Sequence, residues 1–208
     1  MRAFLAITPD ERTLAVIADV QRRCRDAVDA SAAHARVSWA RSDALHLTVR
    51  FFAEIDEALA MTLRDRLAER LTAITSIEVP LARVGGFPRL AAPRVLWIGP
   101  PDAWIDSPEG GRLTRIAQAV DRACEALGMP AEERRWNPHI TLARVKDGER
   151  AVGNAVRHDG ALAPGPTLRA DHVTLYKSDP GPGGTRHTGL WTVPFFALPP
   201  HRPHAHRD

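Results

Sequence analysis

Two short segments of this 208-residue chain share one pattern, and they constrain its fold more than any other feature. His46-Leu47-Thr48-Val49 and His139-Ile140-Thr141-Leu142 each alternate polar and apolar residues within a run typical of a β-strand. Alternation along a strand places the His and the Thr on one face and the apolar residues on the other. The motif histidines are 93 residues apart, close to half the chain. The sequence therefore predicts two halves that each offer an imidazole and a hydroxyl to one cleft.

The segments around the motifs predict a duplicated α+β unit. Thr8-Pro9-Asp10-Glu11 indicates the start of a first helix with Thr8 as its cap, and Ser107-Pro108-Glu109 indicates the start of a later one that ends at Gly128. Further helices are predicted over Glu57–Ile74 and Glu149–Arg157. Each half then runs strand, helix, motif strand, helix and further strands.

Composition indicates the redox compartment of the protein and the kind of partner that its charge favours. Cys24 and Cys124 are the two cysteines, which indicates a reducing cytoplasm rather than a disulfide framework. No apolar run has the length of a membrane span, and the N-terminal run Met1–Ile7 predicts a buried strand. The net charge is +3, and Lys146 and Lys177 are the only lysines. The arginine guanidinium matches the geometry of a phosphate, which fits a nucleic-acid substrate. A proteome rich in arginine would produce the same excess of arginine over lysine.

The motif alone does not select its functional copies, because His172-Val173-Thr174-Leu175 is a third match. His46 and His139 each follow a long capped helix, whereas His172 follows a loop, so we interpret His172, Thr174 and Tyr176 as a solvated sheet face. Patterns for zinc, a phosphate loop or a dinucleotide are absent, which predicts no cofactor and no metal site. Three histidines near the end of the sequence are interpreted as part of a mobile polar tail: His201, His204 and His206.

A family resemblance rests on five landmarks in order: Leu45–Phe51, Gly86–Pro88, Pro93–Trp97, Pro138–Arg144 and Leu175–Ser178. Together they resemble the RNA 2′,3′-cyclic phosphodiesterases of the two-histidine phosphoesterase superfamily, which are often labelled 2′-5′ RNA ligases. The similarity runs from Arg2 to about Leu198. It implies a bilobal fold with two antiparallel sheets facing a central cleft and helices packed outside. We accordingly expect one domain over residues 1–198, with interleaved halves near 1–100 and 101–198, and a disordered tail over 199–208.

The resemblance also implies an activity, the metal-free hydrolysis of an RNA terminal 2′,3′-cyclic phosphate to a 2′-phosphate. His46 matches the proton donor and His139 the proton acceptor. Thr48 and Thr141 match the hydroxyls that hold phosphate oxygens, and Arg144 matches a basic residue after the second motif. The implied partner is an RNA or oligonucleotide end, bound by a monomer that does not associate with a membrane. The acid and base assignments are exchangeable, because sequence does not orient the substrate.

Strict alternation complicates the choice of a phosphate-binding cation. It places Arg144 on the face opposite His139, whereas Arg50 shares the face of His46 and Thr48 and is a rival phosphate or RNA contact. The chain departs from the family at His187, where a tyrosine often follows Arg186, and at Phe52-Ala53-Glu54, where Leu-Gly-Glu is more usual.

Three other interpretations stay open at this point. One is 2′-5′ ligation of RNA ends in the same cleft, and a second is a non-catalytic RNA-binding module that uses aromatic residues such as Phe87 or Trp136. In the third, the motif histidines are satisfied residues of a sheet face without a function. Three further aromatic residues are expected in the core, because apolar strands surround them: Phe51, Trp97 and Trp191.

Overall fold

The computed structural model of the protein describes residues 1–132, 135–158, 165–181 and 184–195. The helices within these ranges are α1 (Glu11–Ser31), α2 (Glu57–Leu71), α3 (Asp102–Ile105), α4 (Pro108–Glu125) and α5 (Glu149–His158). The strands are β1 (Ala3–Ile7), β2 (Arg36–Trp39), β3 (Leu47–Phe52), β4 (Ile77–Pro80), β5 (Arg83–Phe87), β6 (Val95–Gly99), β7 (Ile140–Asp147), β8 (Thr167–Ala170), β9 (His172–Gly181) and β10 (Gly184–Pro194). The predicted tail over 199–208 lies outside the described residues.

The strands form one large antiparallel sheet and one small one. The large sheet has the order β10-β9-β1-β3-β7-β6-β5, with β2 added on β7, while β4 pairs with β8. The strands β3 and β7 meet through one paired position, Leu47 opposite Ile140. The α+β class with antiparallel sheets is therefore confirmed. The two halves of the large sheet join at the point where the two motifs begin.

The helices pack in two pairs, and this packing interleaves the two halves of the chain. The helices α2 and α4 pack on each other, and α4 also packs on β3. The helices α1 and α5 form the other pair, and α5 packs on β7. The strand β3 therefore packs against a helix from the second half of the chain, and β7 packs against the helix that follows it. Because each helix pair joins one helix from each half, the two halves share one hydrophobic core.

The start of α1 differs from its prediction by two residues. Asp10 caps the helix, because its carboxylate accepts from the backbone N–H of Thr13 at 2.7 Å. The hydroxyl of Thr8, the predicted cap, instead lies 2.8 Å from the phenol oxygen of Tyr176 on β9. The helix α4 starts as predicted, with Ser107 as its cap and Pro108 as its first residue.

No helix in the described parts of the chain has the length and apolar character needed to cross a membrane.

Candidate active site

The two motif histidines lie beside the seam of the large sheet. His46 immediately precedes β3, and His139 immediately precedes β7. His46, Thr141 and Arg144 line a cavity of about 700 Å³ that we call the cleft. Phe4 and His187, from β1 and β10, also line it. The other two motif residues, Thr48 and His139, are half-buried and are not among the lining residues, but His139 is near enough to His46 for its charge to lower the pKa of His46. Residues from both halves of the chain therefore meet at one site, as the repeated motif predicts.

A β-bulge in β3 decides which side chains reach the cleft. Thr48 pairs with Ala6 and Arg50 pairs with Leu5, so Val49 is an extra residue on β3. An extra residue reverses the alternation beyond it. Arg50 consequently points away from the cleft, is 5% exposed and forms a 2.5 Å ion pair with Asp121 of α4. The prediction that Arg50 shares the face of His46 and contacts phosphate is wrong.

The same bulge brings Phe51 to the cleft side of the sheet. Its side chain lines the cleft and is 66% exposed, so the expectation that it lies in the core is also wrong. The ring centroid of Phe51 lies 6.0 Å from that of Phe4. An exposed aromatic face next to a polar cleft is a surface on which a nucleobase can stack.

A matching bulge in β7 resolves the position of Arg144. Thr141 pairs with Trp97 and Ala143 pairs with Leu96 of β6, so Leu142 is the extra residue. The alternation is reversed beyond it, and the exposed Arg144 side chain lines the cleft. Arg144 and Phe51 each lie five residues after their motif histidine, so the two bulges place a cation on one side of the cleft and an aromatic ring on the other.

Side chains from distant parts of the sequence hold the two bulges. The indole N–H of Trp136 donates to the Thr48 carbonyl at 2.9 Å. The Gln21 amide of α1 donates to the Leu142 carbonyl at 2.8 Å, and that carbonyl also accepts from the backbone N–H of Ala40 at 2.9 Å. No feature of the sequence pointed to Gln21, and Trp136 was expected as a stacking residue only if the protein were a non-catalytic RNA-binding module. Such positioning contacts leave no local sequence signal, because their partners are backbone atoms.

Each motif imidazole is oriented by the backbone two residues before it. Nδ1 of His139 lies 2.8 Å from the carbonyl oxygen of Asn137, and His46 has a backbone hydrogen bond with Ala44. A carbonyl accepts only, so Nδ1 of His139 donates. In the neutral ring Nε2 then carries the lone pair, which makes it the nitrogen able to accept a proton.

Aromatic rings enclose both imidazoles. His46 stacks on Phe4 with ring centroids 4.5 Å apart, and the edge of His187 lies against it at 5.6 Å. On the other side, His139 meets Phe87 edge to face at 4.9 Å and Trp97 at 6.2 Å. Phe87 is therefore part of the wall around His139 rather than a free stacking surface. Trp97 is 4% exposed, which agrees with its expected burial.

This enclosure lowers the pKa of all three cleft histidines, because a low dielectric disfavours the charged ring. Burial lowers the pKa of His46 to about 4, with His187 as the second cause, while the hydrogen bond with Ala44 opposes the shift. Burial also lowers the pKa of His139; its hydrogen bond with Asn137 opposes this and the charge of Arg144 adds to it. For His187, burial lowers the pKa against the opposing charge of Asp43. The free cleft thus holds neutral imidazoles at pH 7.

The third motif copy lies apart from the cleft. Nδ1 of His172 is 2.6 Å from Asp171, and His172 lines a different cavity. Cys24 and Cys124 are buried, and burial raises the pKa of both thiols to about 11, so neither supplies a thiolate at neutral pH. Across the described ranges, no group of three or more His, Cys, Asp or Glu residues is placed to share a metal ion.

Sequence and structure comparisons agree with this geometry. Residues 9–182 match the 2'-5' RNA ligase superfamily, and the chain belongs to that family. It is 29% identical over 189 residues to a protein of Methanocaldococcus jannaschii named RNA 2',3'-cyclic phosphodiesterase, covering 88% of this chain and 95% of that one. A protein of the same name from Aeropyrum pernix is 35% identical over 101 residues, which span 49% of this chain and 53% of the relative.

The fold is also similar to that of a solved structure, E. coli LigT complexed with 3'-AMP. The TM-score is 0.65 at 23% sequence identity, with 93% of this chain and 97% of LigT covered. The match over residues 9–182 confirms the predicted family, and the similarity to LigT confirms the fold.

Proposed function

We propose that this protein hydrolyses the terminal 2′,3′-cyclic phosphate of RNA to a 2′-phosphate without a metal ion. The observation that carries the proposal is the meeting of two imidazoles, His46 and His139, at the seam between β3 and β7. Each has a backbone hydrogen bond two residues before it and a threonine two residues after it. Two oriented imidazoles supply the general base and the general acid that such a hydrolysis needs.

The proposed reaction moves one proton at each imidazole. His139 holds its Nδ1 proton on the Asn137 carbonyl, so its Nε2 lone pair accepts a proton from the attacking water. The water oxygen forms a bond to phosphorus as the bond from phosphorus to O3′ breaks. Protonated His46 gives its proton to the departing O3′. The products are a 3′-hydroxyl and a 2′-phosphate, with His139 protonated and His46 neutral at the end of the step.

The low pKa of His46 assigns a role to the substrate's charge. In the free cleft the pKa is about 4, so at pH 7 the ring is neutral and lacks the proton that an acid must donate. An anion next to an imidazole favours its charged form. The cyclic phosphate monoanion therefore raises the pKa of His46 as it binds, and the acid is protonated in the complex in which it acts.

The remaining cleft residues hold the substrate. The hydroxyls of Thr48 and Thr141 donate to the non-bridging phosphate oxygens, and Arg144 adds a positive charge from the edge of the cleft. The exposed ring of Phe51 stacks on the terminal base. All of these groups come from one chain, so we propose that the active form is a monomer whose partner is an RNA end.

The test is the fate of 2′,3′-cyclic AMP, followed by phosphorus NMR. The proposal expects adenosine 2′-phosphate as the product. Release of adenosine 3′-phosphate instead would reverse the assignment of the leaving oxygen, and tight binding without turnover would favour a binding module. A parallel reaction with a 5′-hydroxyl oligonucleotide and a cyclic-phosphate oligonucleotide checks for ligation: a 2′-5′-linked product as the main outcome would replace hydrolysis with ligation.

A further inference from the structure

A second cavity of about 700 Å³ lies on the same face of the large sheet as the cleft. The strand β9 shows that the two are continuous, because alternate residues of a strand share a face. His172, Thr174 and Tyr176 line the second cavity, and the next residue of that series, Ser178, lines the cleft. The strand β10 behaves in the same way: its residues 189–192 line the second cavity, and His187 lines the cleft.

A row of stacked rings joins the two cavities. The ring of Phe4 stacks on His46 at 4.5 Å and on Tyr176 at 5.4 Å, with interplanar angles of 20° in both contacts. The ring of Phe4 thus contacts both the imidazole of His46 and the ring of Tyr176, which lines the second cavity. A strand whose end is held at His46 therefore has the second cavity beside it on the same face of the sheet.

The chemistry of the second cavity suits an uncharged ligand. Asp171 lies 2.6 Å from Nδ1 of His172 and 3.2 Å from Nε of Arg169, and the carboxylate of Asp10 accepts from the backbone N–H of Thr13. The ionisable side chains of the lining therefore already have polar partners. Hydroxyl pairs line the rest of the wall. Thr174 lies 2.8 Å from Thr192, and each oxygen retains hydrogen-bonding capacity beyond this contact.

Apolar surface completes the cavity. The side chain of Leu190 is 42% exposed at its edge, and the half-buried ring of Tyr176 forms part of its wall. Paired charges, free hydroxyl capacity and exposed apolar surface match a base and a ribose, whereas a phosphate needs an unpaired cation.

We propose that the second cavity is a subsite for the nucleoside that precedes the cyclic-phosphate nucleotide of an RNA end. This inference rests on the proposed function, because it assigns the path of the strand that leaves the catalytic cleft. It predicts that the protein distinguishes an oligonucleotide end from a cyclic mononucleotide through KM, with the chemistry at His46 and His139 unchanged.

The test compares two substrates, 2′,3′-cyclic AMP and the dinucleotide ApA with a 2′,3′-cyclic phosphate end. The wild-type protein is expected to have a KM for the dinucleotide on the order of tenfold lower, which corresponds to one stacked base. Leu190→Glu replaces exposed apolar surface at the edge of the second cavity with a carboxylate. It is expected to remove that advantage while leaving the KM for 2′,3′-cyclic AMP within about twofold. Met61→Glu on α2 is the matched control, because Met61 is 39% exposed and lies outside both cavities.

His172→Gln provides a second variant, which keeps a polar side chain of similar size and removes the imidazole ring from the wall of the second cavity. A selective rise in the KM for the dinucleotide supports the subsite. Equal KM values for the two substrates in the wild-type protein would overturn it, and so would a Leu190→Glu effect of the same size on both substrates. A protein that hydrolyses neither substrate would overturn the proposed function itself, a result distinct from hydrolysis of both with equal KM.

Discussion

The edge of His187 lies against the ring of His46, with the centroids 5.6 Å apart and the planes at 77°. A positive charge on His187 disfavours protonation of His46, and His187 is the second cause, after burial, of the low pKa of His46. Charged side chains that line the same cleft are Arg2, Arg144 and Arg41, which is paired with Asp43. The family resemblance implies a tyrosine after Arg186, where this chain has His187. We therefore expect the contact between His46 and His187 to be a particular feature of this protein.

Replacement of His187 by Gln is expected to raise the pKa of His46, because it removes the second cause of that pKa's depression. In the proposed reaction His46 acts in its protonated form. The alkaline limb of the pH profile of kcat/KM for 2′,3′-cyclic AMP is therefore expected to move to higher pH. Each half unit of that movement raises kcat/KM on the limb about threefold. The pH profile of kcat/KM is the measurement, with His34→Gln as a control because His34 is exposed and lies outside the cleft. An unmoved alkaline limb contradicts the coupling.

The depressed pKa of His46 makes folding stability depend on pH. A histidine whose pKa falls from 6.5 when unfolded to about 4 when folded binds more protons in the unfolded state between these values. Its contribution is complete above pH 6.5 and is lost as the pH falls toward 4. Between pH 7 and pH 4 the wild-type protein should lose on the order of 3 kcal/mol more unfolding free energy than His46→Gln. Urea unfolding at the two pH values measures the difference, and equal losses would refute it.

Arg50 is expected to contribute to stability and not to substrate binding. It is 5% exposed and paired with Asp121, whose side chain is 31% exposed. Arg50→Met should lower the unfolding free energy by about 2 kcal/mol, because it leaves a partly buried carboxylate without its partner. The KM for 2′,3′-cyclic AMP should stay within about twofold. The control Arg22→Met breaks an exposed pair with Asp19 and should cost less than about 0.5 kcal/mol. A large rise in KM for Arg50→Met would return this residue to the substrate site.

Arg144 should show the reverse pattern. Its exposed side chain lines the cleft, so Arg144→Met should leave the unfolding free energy unchanged within about 0.5 kcal/mol. The loss of a charge-assisted contact to phosphate should lower kcat/KM by about 10- to 100-fold. Steady-state kinetics measures the effect, with Lys146→Met on the same strand as a control. Wild-type kcat/KM in the Arg144 variant would exclude a phosphate contact.

Trp136 is expected to position Thr48 through the bulge in β3. Trp136→Phe keeps an aromatic ring but removes the N–H that donates to the Thr48 carbonyl. The kcat for 2′,3′-cyclic AMP should fall about fivefold as the threonine loses its fixed position. Trp191→Phe is the matched control, since the Trp191 indole N–H has no hydrogen-bond partner within the described residues. Equal kcat values in the two variants would leave Trp136 with a packing role alone.

The sequence was sufficient to predict the family, the α+β class and the meeting of both motifs at one site. These predictions rest on alternation and helix caps, which act within a few residues. The two β-bulges were not predictable, because Val49 and Leu142 are apolar residues that fit a regular strand equally well. Each inserted residue reverses the face of everything beyond it. For that reason strict alternation placed Arg50 on the face of His46 and placed Arg144, the candidate that the family resemblance implied, on the opposite face.

The electrostatics of the cleft also depend on contacts that are distant in sequence. Phe4 and His187 approach His46 from β1 and β10, whose positions are set by sheet order rather than by any local pattern. A motif alone therefore identifies the imidazoles but leaves their protonation state undetermined. The sequence pointed to this part of the cleft through His187, the position at which the family resemblance implies a tyrosine.

Activity in the presence of a chelator tests whether His46 and His139 hydrolyse a cyclic phosphate without a metal ion. Initial rates with 2′,3′-cyclic AMP are measured in excess EDTA for the wild-type protein, His46→Gln, His139→Gln and His172→Gln. The account predicts wild-type activity in EDTA, losses on the order of a hundredfold or more for His46→Gln and His139→Gln, and full activity for His172→Gln. Loss of wild-type activity in EDTA, or near-full activity in either cleft variant, would contradict it.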